Sequence, residues 1–331
     1  MWPDGFVRIP RDEPWVRNPI EELARKYDAV ETHGWYRNLA PILDGLQGLV
    51  GEGDIVIDYS AGTGILVDQF LKRTPELQAG YVLVDASPKF LRLALEKLGA
   101  DKRTAFRWLR YLKSEKRLQT LDEVLPETLR TRGVDALCST NAIHLYFDLP
   151  ETLESWVRLL KPGATALIQS GNIVNPNAPE NCWIIDTTVE RLQPIARTLV
   201  RDEAKYAEFR PDLENDKRMA EYDQLRRKYF LPVRPLGYYL DALRASGFEV
   251  AEVFEQVVDA LVRDWGEFLS AYHEGLLGWA GGSKRIDGRA PSEEVVTLRQ
   301  KLLSESLAAL FESRTSFRTC WTYIRCRKPS S

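Results

Sequence analysis

The sequence predicts an α/β fold built on a doubly wound, mostly parallel sheet. Between residues 53 and 175, short apolar runs alternate with segments of helical apolar spacing, a pattern typical of a parallel sheet covered by helices on both faces. The first run, Ile55–Ile57, is followed by Asp58. Small residues then continue as far as Gly64, after which the apolar spacing of a helix begins. With 331 residues the chain can bury a large core, as one elaborated domain or as two small ones.

The composition argues against nucleic-acid and membrane partners. The formal net charge is −3, whereas nucleic-acid binding normally needs a basic face. No apolar run reaches membrane-spanning length, and the first residues lack a signal-peptide pattern. The four cysteines and three histidines are scattered without the spacing of a metal site, as in a cytoplasmic protein with reduced thiols. We therefore expect a cytoplasmic protein that binds no metal, nucleic acid or membrane.

Two helices are predicted ahead of the sheet. Residues 1–17 read as an extended arm, and Asn18–Glu21 is a good helix start because asparagine can cap the helix and proline fits its first turn. This helix runs to about Asp28, and a second begins near Trp35 and continues to Gly48.

The turn after the first strand is predicted to bind a nucleoside cofactor. Small residues there let a ligand lie against bare backbone, and unpaired amides at the start of the next helix favour an anionic group. A second buried strand, Tyr81–Val84, is followed by Asp85, an acid placed to accept both hydroxyls of a ribose. A nicotinamide dinucleotide is the weaker alternative, because Val67 stands where the third glycine of G-x-G-x-x-G would fall.

These segments resemble the class I S-adenosylmethionine-dependent methyltransferase family over about residues 50–175. The first motif of that family, an acid followed by glycines among small residues, stands here as Asp58–Gly64, with Ser60 in place of the usual first glycine. Asp85 matches the ribose-binding acid, and Val134–His144 resembles the fourth strand and active-site loop. Leu160–Gln169 resembles the turn and fifth strand, and weaker similarity continues over residues 236–258 and 317–327.

The resemblance implies a seven-stranded sheet with an antiparallel last strand, plus helical N-terminal and lid insertions. Segments that are too long for ordinary connections follow the fifth and sixth predicted strands, and such insertions commonly cover the substrate pocket in this family. The expected division is a cap over 1–50, a cofactor-binding core over 51–175, 233–260 and 317–331, and a substrate lid over 176–232 and 261–316.

The resemblance also implies where S-adenosylmethionine binds. The turn and the ribose acid contribute Asp58, Ser60, Ala61, Gly62, Gly64, Asp85, Ala86 and Ser87. In the cap, Tyr27 and Trp35 are expected to stabilise the sulfonium by cation–π attraction, and Arg37 to pair with the methionine carboxylate. Asn141 is expected to hold the cofactor or to shape its loop. Simple packing is the alternative for Trp35 and Tyr36, and a role outside the cofactor site is the alternative for Arg37. No acid in Arg110–Lys113 indicates an adenine partner.

His144 is the candidate general base. An imidazole with a pKa near 6.5 suits that task at neutral pH, and the alternative is a histidine that positions substrate or caps the next segment. A hydroxyl acceptor would need such a base, whereas an amine that is already neutral would not. The aromatics Tyr36, Trp183, Trp265 and Tyr272 are expected at the substrate site, where they favour an apolar or aromatic molecule, although cores use the same residues.

Together these features predict a methyltransferase that acts on a small organic molecule, with O-methylation as the expected reaction. The alternatives are N- or C-methylation by the same fold, an NAD(P)-dependent oxidoreductase, and a non-catalytic cofactor-binding module whose lid binds a partner. The missing third glycine and the antiparallel last strand speak against the oxidoreductase. The sequence is compatible with a homodimer.

Overall fold

The computed structural model describes residues 1–330, apart from the side chain of Trp35. Seven strands form the main sheet: β1 (Ile55–Tyr59), β2 (Gly80–Asp85), β3 (Thr104–Trp108), β4 (Val134–Thr140), β5 (Leu160–Ser170), β6 (Glu249–Leu261) and β7 (Ser316–Arg327). Their order across the sheet is β6-β7-β5-β4-β1-β2-β3. Strand β7 pairs antiparallel with β5 and β6, and the other pairings are parallel. The predicted mostly parallel, seven-stranded sheet with an antiparallel last strand is confirmed.

The helices lie on both faces and in the two insertions. The α-helices are α1 (Glu22–Asp28), α2 (Ala40–Leu49), α3 (Ile65–Arg73), α4 (Pro88–Leu98), α5 (Leu121–Val124), α6 (Glu127–Arg132), α7 (Leu149–Leu159), α8 (Thr187–Asp202), α9 (Arg210–Leu213), α10 (Asp216–Tyr229), α11 (Leu236–Ala245), α12 (Val262–Ala271), α13 (His273–Leu277), α14 (Lys284–Asp287) and α15 (Glu293–Leu310). Short 3-10 helices span Pro14–Arg17, Ala29–Thr32, Gly34–Leu39, Ile143–Leu145 and Ala204–Phe209. Among residues 1–330, no helix combines the length and apolar content that crossing a membrane requires.

Two apolar clusters hold the sheet between its helices. Because successive side chains of a strand point to opposite faces, Val56 belongs to one cluster, whereas Ile55 and Ile57 belong to the other. The first cluster also takes in α2, α3 and the insertion helices, and the second takes in α7 and α11. Burial on both faces explains why β1 and β2 are apolar without alternation.

The N-terminal arm lies along the β3 edge of the sheet. The backbone N–H of Phe106 in β3 donates to the carbonyl of Arg8 at 3.0 Å. The guanidinium of Arg107 donates to the carbonyl of Val7 at 2.7 Å and lies over the ring of Phe6 at 4.8 Å. The arm therefore covers backbone groups that an edge strand would otherwise leave open.

Two further pairs of short strands lie outside the main sheet. Tyr111–Leu112 pairs antiparallel with Arg117–Leu118, which makes a hairpin directly after β3. Ile173–Val174 pairs in parallel with Arg234–Pro235, so the two ends of the first insertion lie side by side. The division of the chain into cap, core and lid stays a prediction.

Candidate functional site

The turn between β1 and α3 passes through three residues in the left-handed region. Their φ angles are 64° at Ser60, 55° at Gly62 and 79° at Gly64. Serine tolerates this region less well than glycine, but the backbone N–H groups of Ser60 and Ala61 donate to the carbonyl of Val84 at 2.8 and 3.0 Å. These bonds tie the turn to β2. The turn is thus retained although serine replaces the glycine that is usual in the family.

The two glycines of the turn serve different purposes. A Cβ at Gly64 would lie 2.9 Å from Leu98 Cδ1 and 3.0 Å from Leu83 Cδ2, so Gly64 lets the start of α3 pack closely on its neighbours. A Cβ at Gly62 would meet only Tyr27 Cε1, at 3.7 Å. Gly62 therefore faces the space in front of the turn, and Gly64 faces the core.

Asp85 ends β2 and binds the backbone around it. Its Oδ2 accepts a hydrogen bond from the N–H of Gly62 at 2.7 Å, and its Oδ1 accepts one from the N–H of Ser87 at 2.6 Å. Burial raises the pKa of Asp85 to about 6, although these bonds favour the charged form. A carboxylate offers about four lone-pair sites, so Asp85 keeps acceptor capacity for a ligand.

Asp58, at the carboxyl end of β1, is a buried acid in an unusual state. Its side chain is 2% exposed, and neither carboxylate oxygen has a hydrogen-bond partner among the described residues. Burial, followed by the charge of Asp85, raises the pKa of Asp58 to about 7. The buried Asp58, behind the turn, thus lies close enough to interact electrostatically with Asp85 in the cavity wall, which favours a ligand that brings hydrogen-bond donors or positive charge to Asp85.

A cavity of about 680 Å³ opens at the carboxyl ends of β1, β2 and β4, where ligands bind in open α/β sheets. The turn and the end of β2 form one wall, and the hairpin after β3 forms another. The loop and helix start after β4, from Thr140 to Thr152, complete the lining. Asn141 lines this cavity, and its buried Oδ1 has no hydrogen-bond partner among the described residues.

Two tyrosines of the N-terminal segment, Tyr27 and Tyr36, also lie at the site. Tyr27 lines the cavity, and both tyrosines line a narrow recess that continues past Ala61 and Asn141. Their side chains hydrogen-bond to each other, and burial raises the pKa of each. Tyr27 also stacks on Phe90, with 4.7 Å between ring centroids.

The structure gathers most of the predicted cofactor residues around these two spaces. The cavity is lined by Tyr27, Ser60, Gly62, Asp85, Ala86, Ser87 and Asn141, and the recess adds Ala61 and Tyr36. Asp58 and Gly64 lie behind the turn rather than in the lining. Arg37 is exposed and lines neither space. The side chain of Trp35 lies outside the described residues.

His144 points away from the cavity into a polar network. The Oδ1 of Asn172 accepts from the N–H of Asp186 at 3.0 Å, which leaves its amide Nδ2 to donate to His144 Nε2 at 3.1 Å. The Nδ1 of His144 then carries the proton and bonds to Ser170 Oγ at 3.1 Å. Burial lowers the pKa of His144 to about 3. Both ring nitrogens are therefore engaged in a neutral ring, and the base role stays a prediction.

The other predicted substrate aromatics lie in the packing of the insertions. Trp183 packs edge-on against Phe311 at 5.7 Å, and the indole N–H of the buried Trp265 donates to Thr188 Oγ1 at 2.9 Å. Tyr272 contacts Phe268, whose ring lies 6.3 Å from that of Tyr27. Trp183, Trp265 and Tyr272 are absent from the described lining, and their substrate role stays a prediction.

Four apolar side chains that were not predicted from the sequence lie at the mouth of the cavity: Tyr111, Leu118, Leu145 and Phe147. All line the cavity, yet Phe147 is 93% exposed and Tyr111 57%. We call them the apolar rim. No local pattern in the sequence marks these four residues, because their sequence neighbours share no common feature.

The chain matches one family model, that of a methyltransferase domain, over residues 57–166. This span runs from Ile57 in β1 to Ala166 in β5, so it contains the turn, Asp85 and the loop after β4. No curated protein sequence matches the chain.

Several solved structures are similar to this one. An S-adenosylmethionine-dependent methyltransferase of Thiobacillus denitrificans, solved with S-adenosyl-L-homocysteine, is 14% identical, covering 93% of this chain and 99% of that chain at a TM-score of 0.47. Phosphoethanolamine N-methyltransferase 2 of Haemonchus contortus is 16% identical, covering 92% and 57% at 0.48. The YcgJ protein of Bacillus subtilis is 12% identical, covering 89% and 100% at 0.48. At these identities and scores the similarities carry no argument about activity.

Much of the main sheet lies within the residues that match the family model. The matched span supplies β1 to β4 and part of β5, and the chain continues into the antiparallel β7 that the resemblance implied. Residues 57–166 therefore match a methyltransferase domain, and the motifs within them resemble the class I S-adenosylmethionine-dependent type.

Proposed function

We propose that the protein transfers a methyl group from S-adenosylmethionine to a small organic acceptor. The observation that carries the proposal is Asp85, which lies in the wall of the cavity and binds the turn through Gly62. The methyltransferase match over residues 57–166 supports it. When bound, S-adenosylmethionine supplies a methyl group on a sulfonium, activated for displacement by a nucleophile.

The described residues fit this cofactor in size and chemistry. About 680 Å³ is within the usual range of small-molecule sites. Asp85 would accept the ribose hydroxyls, and Asn141 lines both the cavity and the recess beside it. Tyr27 and Tyr36 would provide aromatic faces, which attract cations.

The walls of the cavity favour an acceptor with an apolar body. The apolar rim lies at the mouth, and besides Asp85 the charged lining residues are Lys116 and Arg117 of the hairpin and Asp148 and Glu151 after β4. A small aromatic or aliphatic molecule could bury the rim side chains on entry, with a gain of about 25 cal/mol per Å² of apolar surface. A macromolecular acceptor would not need so deep a cavity.

The acceptor atom depends on whether a base is present. O-methylation was predicted with His144 as the base, but both nitrogens of that ring are held by Ser170 and Asn172. A neutral amine attacks the methyl group without first losing a proton. The geometry of His144 therefore favours N-methylation over O-methylation, and we propose that His144 positions the loop after β4.

The test is binding followed by turnover. Calorimetry of the purified protein should show one site for S-adenosylmethionine, and a labelled methyl donor offered with panels of amines and phenols should label an amine of low polarity. Binding without turnover on any acceptor would leave the non-catalytic module, and binding of NAD in place of S-adenosylmethionine would point to the oxidoreductase. Failure to bind S-adenosylmethionine would overturn the proposal.

A further inference from the structure

Three side chains that can bind metal ions converge outside the cavity. His33 lies between two short 3-10 helices of the cap, and Asp264 and Glu267 lie three residues apart on α12. One ligand atom from each residue lies within 4.8 Å of the other two. His33 Nε2 lies 3.5 Å from Glu267 Oε2. We call these residues the cap–α12 cluster, and none of the three lines the cavity or the recess.

The donor set selects a class of ion. One imidazole with two carboxylates suits divalent transition metals such as Zn²⁺ and Mn²⁺, whereas Mg²⁺ and Ca²⁺ prefer oxygen ligands alone. Ligand bonds of about 2.1 Å in a tetrahedral site place neighbouring ligand atoms about 3.4 Å apart. The 3.5 Å between His33 and Glu267 already matches this spacing. The wider distances within the 4.8 Å limit would close by small side-chain rotations.

Two of the three side chains are largely buried, so a bound cation would compensate for their lost contact with water. The side chains of His33 and Asp264 are 9% and 7% exposed, respectively, so two potential ligands are largely removed from water. Asp264 is paired with the guanidinium of Arg263 at 3.2 Å, but that side chain is 77% exposed and can leave without cost to the core. Glu267 is 62% exposed and keeps an entry path open. Two nearby carboxylates repel each other, and an ion between them would remove that repulsion.

We propose that the cap–α12 cluster binds one Zn²⁺ or Mn²⁺ ion, which fastens the cap to the second insertion. Three protein ligands leave a position for water. The cap carries Tyr27 and Tyr36, and α12 carries Phe268, whose ring contacts Tyr27. The ion thus holds α12 against the N-terminal segment that carries Tyr27, a residue of the narrow recess. It takes no part in the chemistry.

The test uses the full chain without an affinity tag, stripped with a chelator. Calorimetry with ZnCl₂ and, separately, MnCl₂ should show one ion per chain, and MgCl₂ should show none at the same concentration. The melting temperature should rise with the bound ion, and amide hydrogen exchange over residues 22–39 should slow. Because none of these measurements uses S-adenosylmethionine, their failure and failure of the proposed function are separate results.

Variants locate the site. Glu267→Gln and His33→Ala should each weaken binding of the ion at least tenfold, and the exposed Glu267 keeps the test valid if His33→Ala folds poorly. Glu294→Gln, an exposed change of the same kind on α15, should bind as the unchanged protein does. Zinc binding that persists in both cluster variants but is lost in Cys182→Ser would assign it to the thiols and overturn the proposal, and so would the absence of binding.

Discussion

The carboxylate of Asp85 and the backbone N–H of Gly62 are joined by a hydrogen bond of 2.7 Å. This bond connects the end of β2 to the turn after β1, so the acid and the turn form one unit. A ligand that binds to Asp85 is thereby held against the bare backbone of Gly62. Asp85 supplies the negative charge and Gly62 the steric access that a nucleoside ligand needs, and the hydrogen bond between them fixes the position of both.

Replacing Asp85 with alanine should weaken binding of S-adenosylmethionine by about 100-fold, because two charge-assisted hydrogen bonds to the ribose are lost and together contribute about 3 kcal/mol. Calorimetry on the folded variant would measure the change. Asp241→Ala, on the exposed face of α11, is the control and should bind normally. Unaltered affinity in Asp85→Ala would remove Asp85 from the site.

Replacing Asp58 with asparagine should stabilise the protein at pH 8. The pKa of Asp58 is raised to about 7 in the fold, against about 3.9 in the unfolded chain, so the folded state binds more protons between these values. Its contribution to the free energy of unfolding is full below about pH 4 and is lost as the pH rises towards 7. Asparagine cannot ionise and avoids a loss of about 4 kcal/mol. Urea unfolding at pH 4.5 and pH 8 should show a gain for the variant that is large only at pH 8; an equal gain at both would contradict the shift.

Replacing His144 with glutamine should lower the methyl-transfer rate less than tenfold. The glutamine amide can donate to Ser170 and accept from Asn172, as the neutral ring does, so the loop after β4 should keep its place. The pH profile of kcat should be the same in both proteins, because a ring with a pKa of about 3 stays neutral above pH 5. A loss of 100-fold or more, with disappearance of an inflection near pH 6 to 7, would restore His144 as the base and O-methylation with it.

Replacing Gly64 with alanine should destabilise the fold by about 3 kcal/mol, from strain at positive φ and from overpacking against Leu98 and Leu83. Gly53→Ala is a close control. Gly53 has a φ of 81°, against 79° at Gly64, but a Cβ there would meet nothing within 4 Å. Gly53→Ala should lower the free energy of unfolding by about 1 kcal/mol. Equal losses of unfolding free energy in the two variants would show that crowding at Gly64 is unimportant.

The parts of the site that lie close together in sequence were predictable. The strand, the turn over Asp58–Gly64 and the acid after β2 are each encoded within a few residues, and the structure has them as predicted. The preference of parallel sheets for ligands at their carboxyl edge directed attention to the loop after β4, where Asn141 lines the cavity; its role towards the cofactor stays a prediction.

The orientation of His144 was not predictable in this way. The bonds that orient its ring come from Ser170, the last residue of β5, and from Asn172 just after it, and a pattern of residue types carries no information about such a pairing. The aromatic residues of the insertions were ambiguous for a related reason. Trp265 has the spacing of one helix face, and spacing cannot tell whether that face meets a ligand or other helices.

The apolar rim was missed because hairpin formation brings Tyr111 beside Leu118, and their exposure is visible only once the fold is known. The cap–α12 cluster was missed because His33 and α12 belong to distant parts of the chain. Both features depend on contacts between segments rather than on any local motif.

The arm that lies along β3 makes the solubility of the sheet depend on a segment outside it. Phe106 donates to Arg8, so this border strand already has a polypeptide neighbour. A shortened protein starting at residue 18 would offer the same donor to strands of other molecules, the usual start of edge-to-edge aggregation. Work on the isolated core should therefore retain the first seventeen residues.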